Sequence, residues 1–405
     1  MTQNVKLAML LVALCAAAVG LFSVSMGFNR QTPAAPPANA SSALGDTLET
    51  EEPEPLPPAT VRFVAAGDNL IHDNIYSQAR ARAGGEGFDF TLAYQGVEKL
   101  FVGADIAFIN QETPIAESVF PLSGYPMFNS PEAVGDYVEK MGFNVVNHSN
   151  NHMFDMGERG LIATLDFWAG KPEILAIGAW RTEEDMKKPL LVAKNGITFG
   201  FVPMTEHTNG LSLPKDSAMR YVKTNEYDLM KEQVELAKAN ADFVVVSAHW
   251  GTENSTDAND NQRYLAQMFA DWGVDLVLGH HSHTLQPMEW LEGADGNRTL
   301  VAYSVGNFIS GMLNPQNMLG GVLDIDVTKD GETGEVAITR AKMIPIVTQY
   351  DYGVKNIRVY AFEDYTPELA REHGMNQNVS YFGLDFLKSI YQKNIPEEFW
   401  PFQAA

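Results

Sequence analysis

Five short runs rich in β-branched and apolar residues each lead directly into a knot of His, Asn, Asp or Glu side chains: Val61–Ala66, Asp105–Asn110, Phe143–Asn147, Phe243–Ala248 and Asp275–Leu278. In open α/β sheets ligands bind outside the carboxyl ends of the strands, so five such ends are expected to converge on one site. Amphipathic stretches at helical spacing lie between the runs, at Pro131–Met141, Gly160–Trp168 and Tyr227–Ala239, and Gly142 stands where a helix would terminate. Strands alternating with helices predict an α/β fold with covered strands. The later runs Thr299–Tyr303, Gly321–Val327 and Val336–Val347 alternate without long helices and predict a second, more antiparallel sheet. Two sheets sandwiched between helices fit this order.

The polar knots differ in what they say. Asp68 follows the first run, with Gly67 permitting a tight turn, and strand-Gly-Asp also serves as an ordinary turn; His72 and Asp73 are further candidate ligands. Asn110 and Glu112 stand two apart at a strand end and point to the same side, where a carboxylate can bridge two cations or simply close a turn. Asn147, His148, Asn150, Asn151, His152 and Asp155 crowd one strand-to-helix loop, and so many amides and imidazoles are costly to bury unless they bind something. His249 precedes Trp250, Gly251 and Glu253; a single strand-end histidine fits a structural role as well as a ligand's. His280, His281 and His283 together after an apolar strand read as metal binding.

Composition narrows the chemistry. The formal net charge of -23 argues against a nucleic-acid partner, because no basic stripe exists to neutralise phosphates. An anionic substrate would be repelled at long range and would need local positive charge, most simply a bound metal. The one cysteine, Cys15, lies in an apolar N-terminal run, so ligands must be His, carboxylate and amide. Such donors favour Mn, Fe or Zn.

The run Leu7–Met26 carries no charge and follows Lys6. Its length of about twenty residues matches a bilayer core and predicts a single-pass anchor with the rest of the chain outside, or else a cleaved signal peptide and a secreted protein. Phe28–Thr60, rich in Pro, Ala, Ser and Glu, reads as a solvated tether. The expected layout is an anchor or signal over 1–27, a disordered tether over 28–60, the main domain over 61–350, and a helical extension over 351–405 containing Pro367–Glu372 and Tyr381–Gln392.

Six motifs occur in order: G-D-N-L-I-H-D at Gly67–Asp73, N-Q-E at Asn110–Glu112, N-x-x-N-N-H-x-x-D-x-G at Asn147–Gly157, H-W-G-x-E at His249–Glu253, G-H-H-x-H at Gly279–His283 and S-V-G-N-F at Ser304–Phe308. Together they resemble the CapA proteins of poly-γ-glutamate capsule synthesis, a family similar in fold to calcineurin-like metallophosphatases. The resemblance implies a four-layer α/β/β/α sandwich of two mixed sheets holding one or two divalent cations. It implies Asp68 and His283 as ligands of one metal, Asn151, His249 and His281 of the other, and Glu112 as the bridge. His152 matches the histidine that assists a leaving group, and Asp155 joins it as a catalytic candidate. His72, Asn110, Asn147, Glu253, His280 and Asn307 are implied as site-lining. Phosphoesterases carry D-x-H at the first motif, whereas Asp68-Asn69-Leu70 lacks that histidine and leaves the first metal short of a ligand unless His72 compensates.

The function implied is a membrane-anchored extracytoplasmic protein of poly-γ-glutamate synthesis or export with a metal-dependent hydrolase or transferase site. Its expected partners are the polymer or another anionic substrate and membrane synthase subunits. Two alternatives are a metallophosphoesterase acting on a small phosphate ester and a non-enzymatic scaffold of a synthase complex.

Overall fold

The computed structural model describes residues 57–402. The apolar run Leu7–Met26 and nearly all of the expected tether lie outside these residues. No helix among the described residues is long and apolar enough to cross a membrane.

In chain order the strands are β1 (Ala59–Asn69), β2 (Ile106–Asn110), β3 (Val145–Asn147), β4 (Leu175–Ile177), β5 (Leu190–Lys194), β6 (Ile197–Thr205) and β7 (Phe243–His249). They continue with β8 (Leu276–His280), β9 (Met288–Glu292), β10 (Arg298–Ala302), β11 (Asn307–Ile309), β12 (Leu319–Lys329), β13 (Val336–Asp351) and β14 (Lys355–Ala361). The first sheet runs β14-β13-β12-β1-β2-β3-β4, with β11 also paired to β1; the second runs β5-β6-β7-β8-β10-β9. Both are mixed: β1 to β4 and β6-β7-β8-β10 are parallel, while β12 to β14, β5 and β9 add antiparallel edges.

The period of two within β7 explains the layering. Phe243 and Val245 face the core between the sheets, where Phe63 stacks on Phe199 and Phe201 at 6.0 and 6.5 Å between ring centroids. Val244, Val246 and Ala248 face the other way, onto Met230 and Val234 of helix Tyr227–Lys238 and Leu265 and Phe269 of helix Asp260–Asp271. On the outer face of the first sheet, Val134 and Val138 of helix Glu132–Lys140 and Trp168 of helix Gly157–Ala169 close the core. The order is therefore helix, sheet, sheet, helix. Each fully buried Val, Leu or Phe contributes about 1.5–3 kcal/mol to this packing.

Helix ends follow their sequence signals. Gly142 follows helix Glu132–Lys140 at φ 92°, a conformation a side chain would strain. Asn259 and Gln262 form a reciprocal capping box at the start of helix Asp260–Asp271.

Three expectations need correction. The late runs do not build the second sheet: β12 and β13 extend the first one, because β12 returns antiparallel along the whole of Ala59–Ala66, while only Thr299–Ala302 joins the second. The boundary placed after residue 350 falls inside β13, and β14 continues the same sheet beyond it. Gly67 makes no turn. It lies within β1, where a Cβ would stand 1.9 Å from the Gly306 carbonyl oxygen, so glycine is there for close approach of two backbones. In the C-terminal segment, helix Leu384–Asn394 buries Leu387 and Tyr391 in the main core, and Asn394 Nδ2 donates to the Leu285 carbonyl at 3.0 Å, just after the last histidine motif.

Candidate metal centre

Strand register assembles half of the site. Asp68 pairs with Asn110 on one side and Asn307 on the other, and Asn110 pairs with Asn147, so four polar residues stand abreast on β11, β1, β2 and β3. Asn147 Nδ2 donates to Asn110 Oδ1 at 2.9 Å, and Asn110 Nδ2 donates to Asp68 Oδ1 at 2.8 Å. His283 Nδ1 closes the row, 3.1 Å from both Asp68 Oδ2 and Asn307 Oδ1.

The second sheet supplies histidines. His249 ends β7 on the face shared with Phe243 and Val245, as alternation requires, and is level with His280 of β8. His280 stays in the strand and packs flat against Phe108 at 5.8 Å, with neither ring nitrogen hydrogen-bonded. His281 and His283 leave the strand with left-handed backbone, φ 91° and 58°. A Cβ-bearing residue rarely takes φ 91°, and such outliers persist where surrounding structure enforces them. Gly279 takes part in that enforcement, since a Cβ there would lie 1.8 Å from the Tyr303 carbonyl oxygen.

These pieces converge. Ligand atoms of Glu112, His281 and His283 all lie within 4.8 Å of one another. His249 Nε2 stands 2.8 Å from Asn151 Oδ1, 3.1 Å from His281 Nδ1 and 3.7 Å from Glu112 Oε1, which is also 3.7 Å from His283 Nε2. Both Glu112 oxygens are buried without a hydrogen-bond partner. A carboxylate in that position is costly to desolvate unless positive charge meets it. Facing imidazole and amide donors, it fits a divalent cation.

The electrostatics divide the cluster. Burial pushes the Glu112 carboxyl well above the ordinary range, against the pull of His283 and with the push of Asp68. Burial would also raise Asp68, yet the hydrogen bond and charge of His283, with His280 and Asn110, hold it low. Burial, then His283 and His207, lower His281 to about 3, and burial with His281 and His280 keeps His249 well below its usual value. Both rings are thus neutral lone-pair donors at neutral pH. His283 goes the other way: burial is overcome by Glu112 and Asp68, which raise it to about 9.

Beside this cluster, His152 Nδ1 lies 2.8 Å from Asp155 Oδ2, which also accepts the Phe128 backbone N–H at 2.7 Å. Phe128 presents its ring to the edges of both His152 and His72, at 4.8 and 5.2 Å. His72 Nδ1 accepts the Gly311 N–H at 3.1 Å, so only its Nε2 is left for a ligand role. Glu253 is exposed, and its charge reaches Glu112 and His283.

Two further residues belong to the site. His207 Nε2 lies 3.2 Å from His281 Nε2, and Asn209 contacts both Asn151 and His152 at 3.4 Å. Their signal was present: Ile197–Thr205 is a sixth apolar run ending in a polar knot, Glu206-His207-Thr208-Asn209.

Two mixed sheets between helices, with carboxylate, amide and imidazole donors at their common end, define an α/β/β/α sandwich with a candidate metal centre. The chain belongs to the bacterial capsule synthesis protein family PGA_cap, whose model matches residues 62–312. Among curated relatives it is similar to the PGA biosynthesis protein CapA of Bacillus subtilis (strain 168), 32% identical over 225 residues that cover 53% of this chain and 56% of that one. It is also similar to the capsule biosynthesis protein CapA of Bacillus anthracis, 30% identical over 183 residues, 42% of this chain and 41% of that one. The match therefore spans about half the length of these relatives. Among solved structures, a phosphatase from Mycoplasma pneumoniae aligns with 71% of this chain and 94% of its own at 13% identity and a TM-score of 0.42.

Proposed function

We propose that this family member is a metal-dependent hydrolase or transferase acting outside the membrane in the synthesis, export or remodelling of poly-γ-glutamate, tethered by its Leu7–Met26 run. The observation that carries the reading is Glu112, a buried carboxylate with two unpartnered oxygens set among His249, His281 and His283. Asp68, His283 and Glu112 would hold one cation, and Asn151, His249 and His281 a second. A divalent cation in such a site supplies Lewis acidity and charge for an anionic oxygen.

The chain's own groups do the rest. Asp155 accepts the Nδ1 proton of His152, which leaves Nε2 to carry a proton to a departing oxygen or nitrogen. The Phe128 N–H holds Asp155, and the Phe128 ring holds His152 at a fixed angle. The formal net charge of -23 repels a polyanion, so contact with polymer is confined to the metal centre, where cations offset it.

The test is turnover by the full-length protein, with Mn or Zn and with chelator, on polyglutamate and on a phosphodiester reporter. Metal-dependent cleavage or transfer of polyglutamate is expected. Turnover of the reporter alone would favour a phosphoesterase, and a metal-loaded protein inert on both would favour a scaffold. In the active assay His152→Ala should keep its metal and lose about 10²–10⁴ in rate.

A further inference from the structure

The loop Glu206–Gly210, which follows β6, reaches the metal centre from the second sheet. Its course is fixed locally: Thr205 Oγ1 donates to the His207 carbonyl at 2.9 Å, and Asn209 and Gly210 are left-handed at φ 51° and 77°. This course carries His207 to His281, with their rings edge-on at 81° and their Nε2 atoms 3.2 Å apart.

His281 has two nitrogens with different surroundings. Its Nδ1 lies among the donor atoms, 3.1 Å from His249 Nε2. A neutral imidazole offers a lone pair at Nδ1 only when its proton sits on Nε2. His281 is 2% exposed, so that buried N–H requires an acceptor, and the group standing against it is Nε2 of His207.

We infer that His207 is a positioning residue of the metal centre: its Nε2 lone pair accepts the Nε2 proton of His281 and thereby aims the His281 Nδ1 lone pair at the cation. The inference rests on the metal-centre reading above. Ligand histidines ordinarily give their second N–H to a carboxylate, carbonyl or water, and that partner fixes tautomer and ring orientation. Here an imidazole takes the part. His207 is itself exposed, so the bond ties a buried ligand to a residue at the mouth of the site.

Full-length protein stripped of metal is titrated calorimetrically with Mn or Zn as wild type, His207→Leu and His207→Gln. Loss of the acceptor in His207→Leu should weaken affinity about 10–100-fold at unchanged stoichiometry. The glutamine carbonyl in His207→Gln should recover most of it. Nitrogen-15 spectra of the metal-free imidazoles give a second readout: His281 should be protonated at Nε2 in wild type and His207→Gln, and mixed in His207→Leu. Equal affinity in His207→Leu overturns the inference and leaves the metal reading standing. One cation fewer in both variants also overturns it, making His207 a ligand. A wild-type chain that takes up no cation removes the metal reading and the inference with it.

Discussion

The row carried by strands and the ligands carried by loops meet at one place but are held by different means. Asn307, Asp68, Asn110 and Asn147 stand in regular register, the last three bonded side chain to side chain and Asn307 joined to Asp68 through His283. Glu112, His281 and His283 lie just past strand ends; two of them hold left-handed backbone and the third has neither oxygen satisfied. A row bonded to itself is held by the fold before any cation arrives. Loop groups left strained and unpaired gain from one, and that asymmetry marks where the chemistry sits.

Breaking the row should cost most. Asp68→Ala removes a fully buried carboxylate bound to Asn110 and His283 and leaves the His283 charge with Glu112 alone, at 3.7 Å. Urea unfolding of the metal-free protein should show a loss of about 3–5 kcal/mol. A loss below about 1 kcal/mol would mean the row is not a structural unit.

A histidine remote from the centre sharpens the contrast. His373 is buried and satisfied at both nitrogens, giving Nε2–H to the Thr348 carbonyl and accepting the Met375 N–H at Nδ1. Burial lowers it from 6.5 to about 4. Between those values the unfolded chain binds the proton that the fold refuses, so its contribution is full above pH 6.5 and is lost as pH falls towards 4. The total is about 3 kcal/mol. His373→Gln should flatten the slope of unfolding free energy against pH in that window by about 1.4 kcal/mol per unit.

Gly279→Ala tests the enforcement of the loop. The new Cβ would meet the Tyr303 carbonyl, costing about 1–3 kcal/mol and displacing the residues that follow; metal uptake should fall with it. Unchanged melting and metal content would show that the left-handed histidines hold themselves.

Glu112→Leu should act oppositely. Without metal it removes a buried unsatisfied carboxylate and should raise stability by about 1–3 kcal/mol, seen as a higher melting temperature. The same variant should lose the stabilisation that added Mn or Zn gives wild type, about 2.7 kcal/mol at a hundred times Kd. A variant less stable than metal-free wild type would mean that Glu112 is paired in solution.

Much of this was legible in sequence because it is local. Apolar runs ending in polar knots marked β1, β2, β3, β7 and β8, and the histidine pattern of Gly279–His283 pointed to the atoms that now lie within reach of one metal. His207 and Asn209 escaped because only the fold brings the loop after β6 to His281 and Asn151. Which sheet β12 to β14 would join was not legible either, since alternation specifies a strand and not its neighbour.

The sequence by itself determined the alternation of strands and helices, the placement of donors at strand ends, and the absence of thiolates and basic stripes from the chemistry. Tertiary structure alone decided that Asp68 meets His283 across 215 residues of chain, that His281 turns left-handed under Gly279 and Tyr303, and that Glu112 is buried without a hydrogen-bond partner. Periodicity and adjacency are properties of neighbours along the chain. Register between sheets, backbone strain and desolvation exist only once distant segments exclude water from one another.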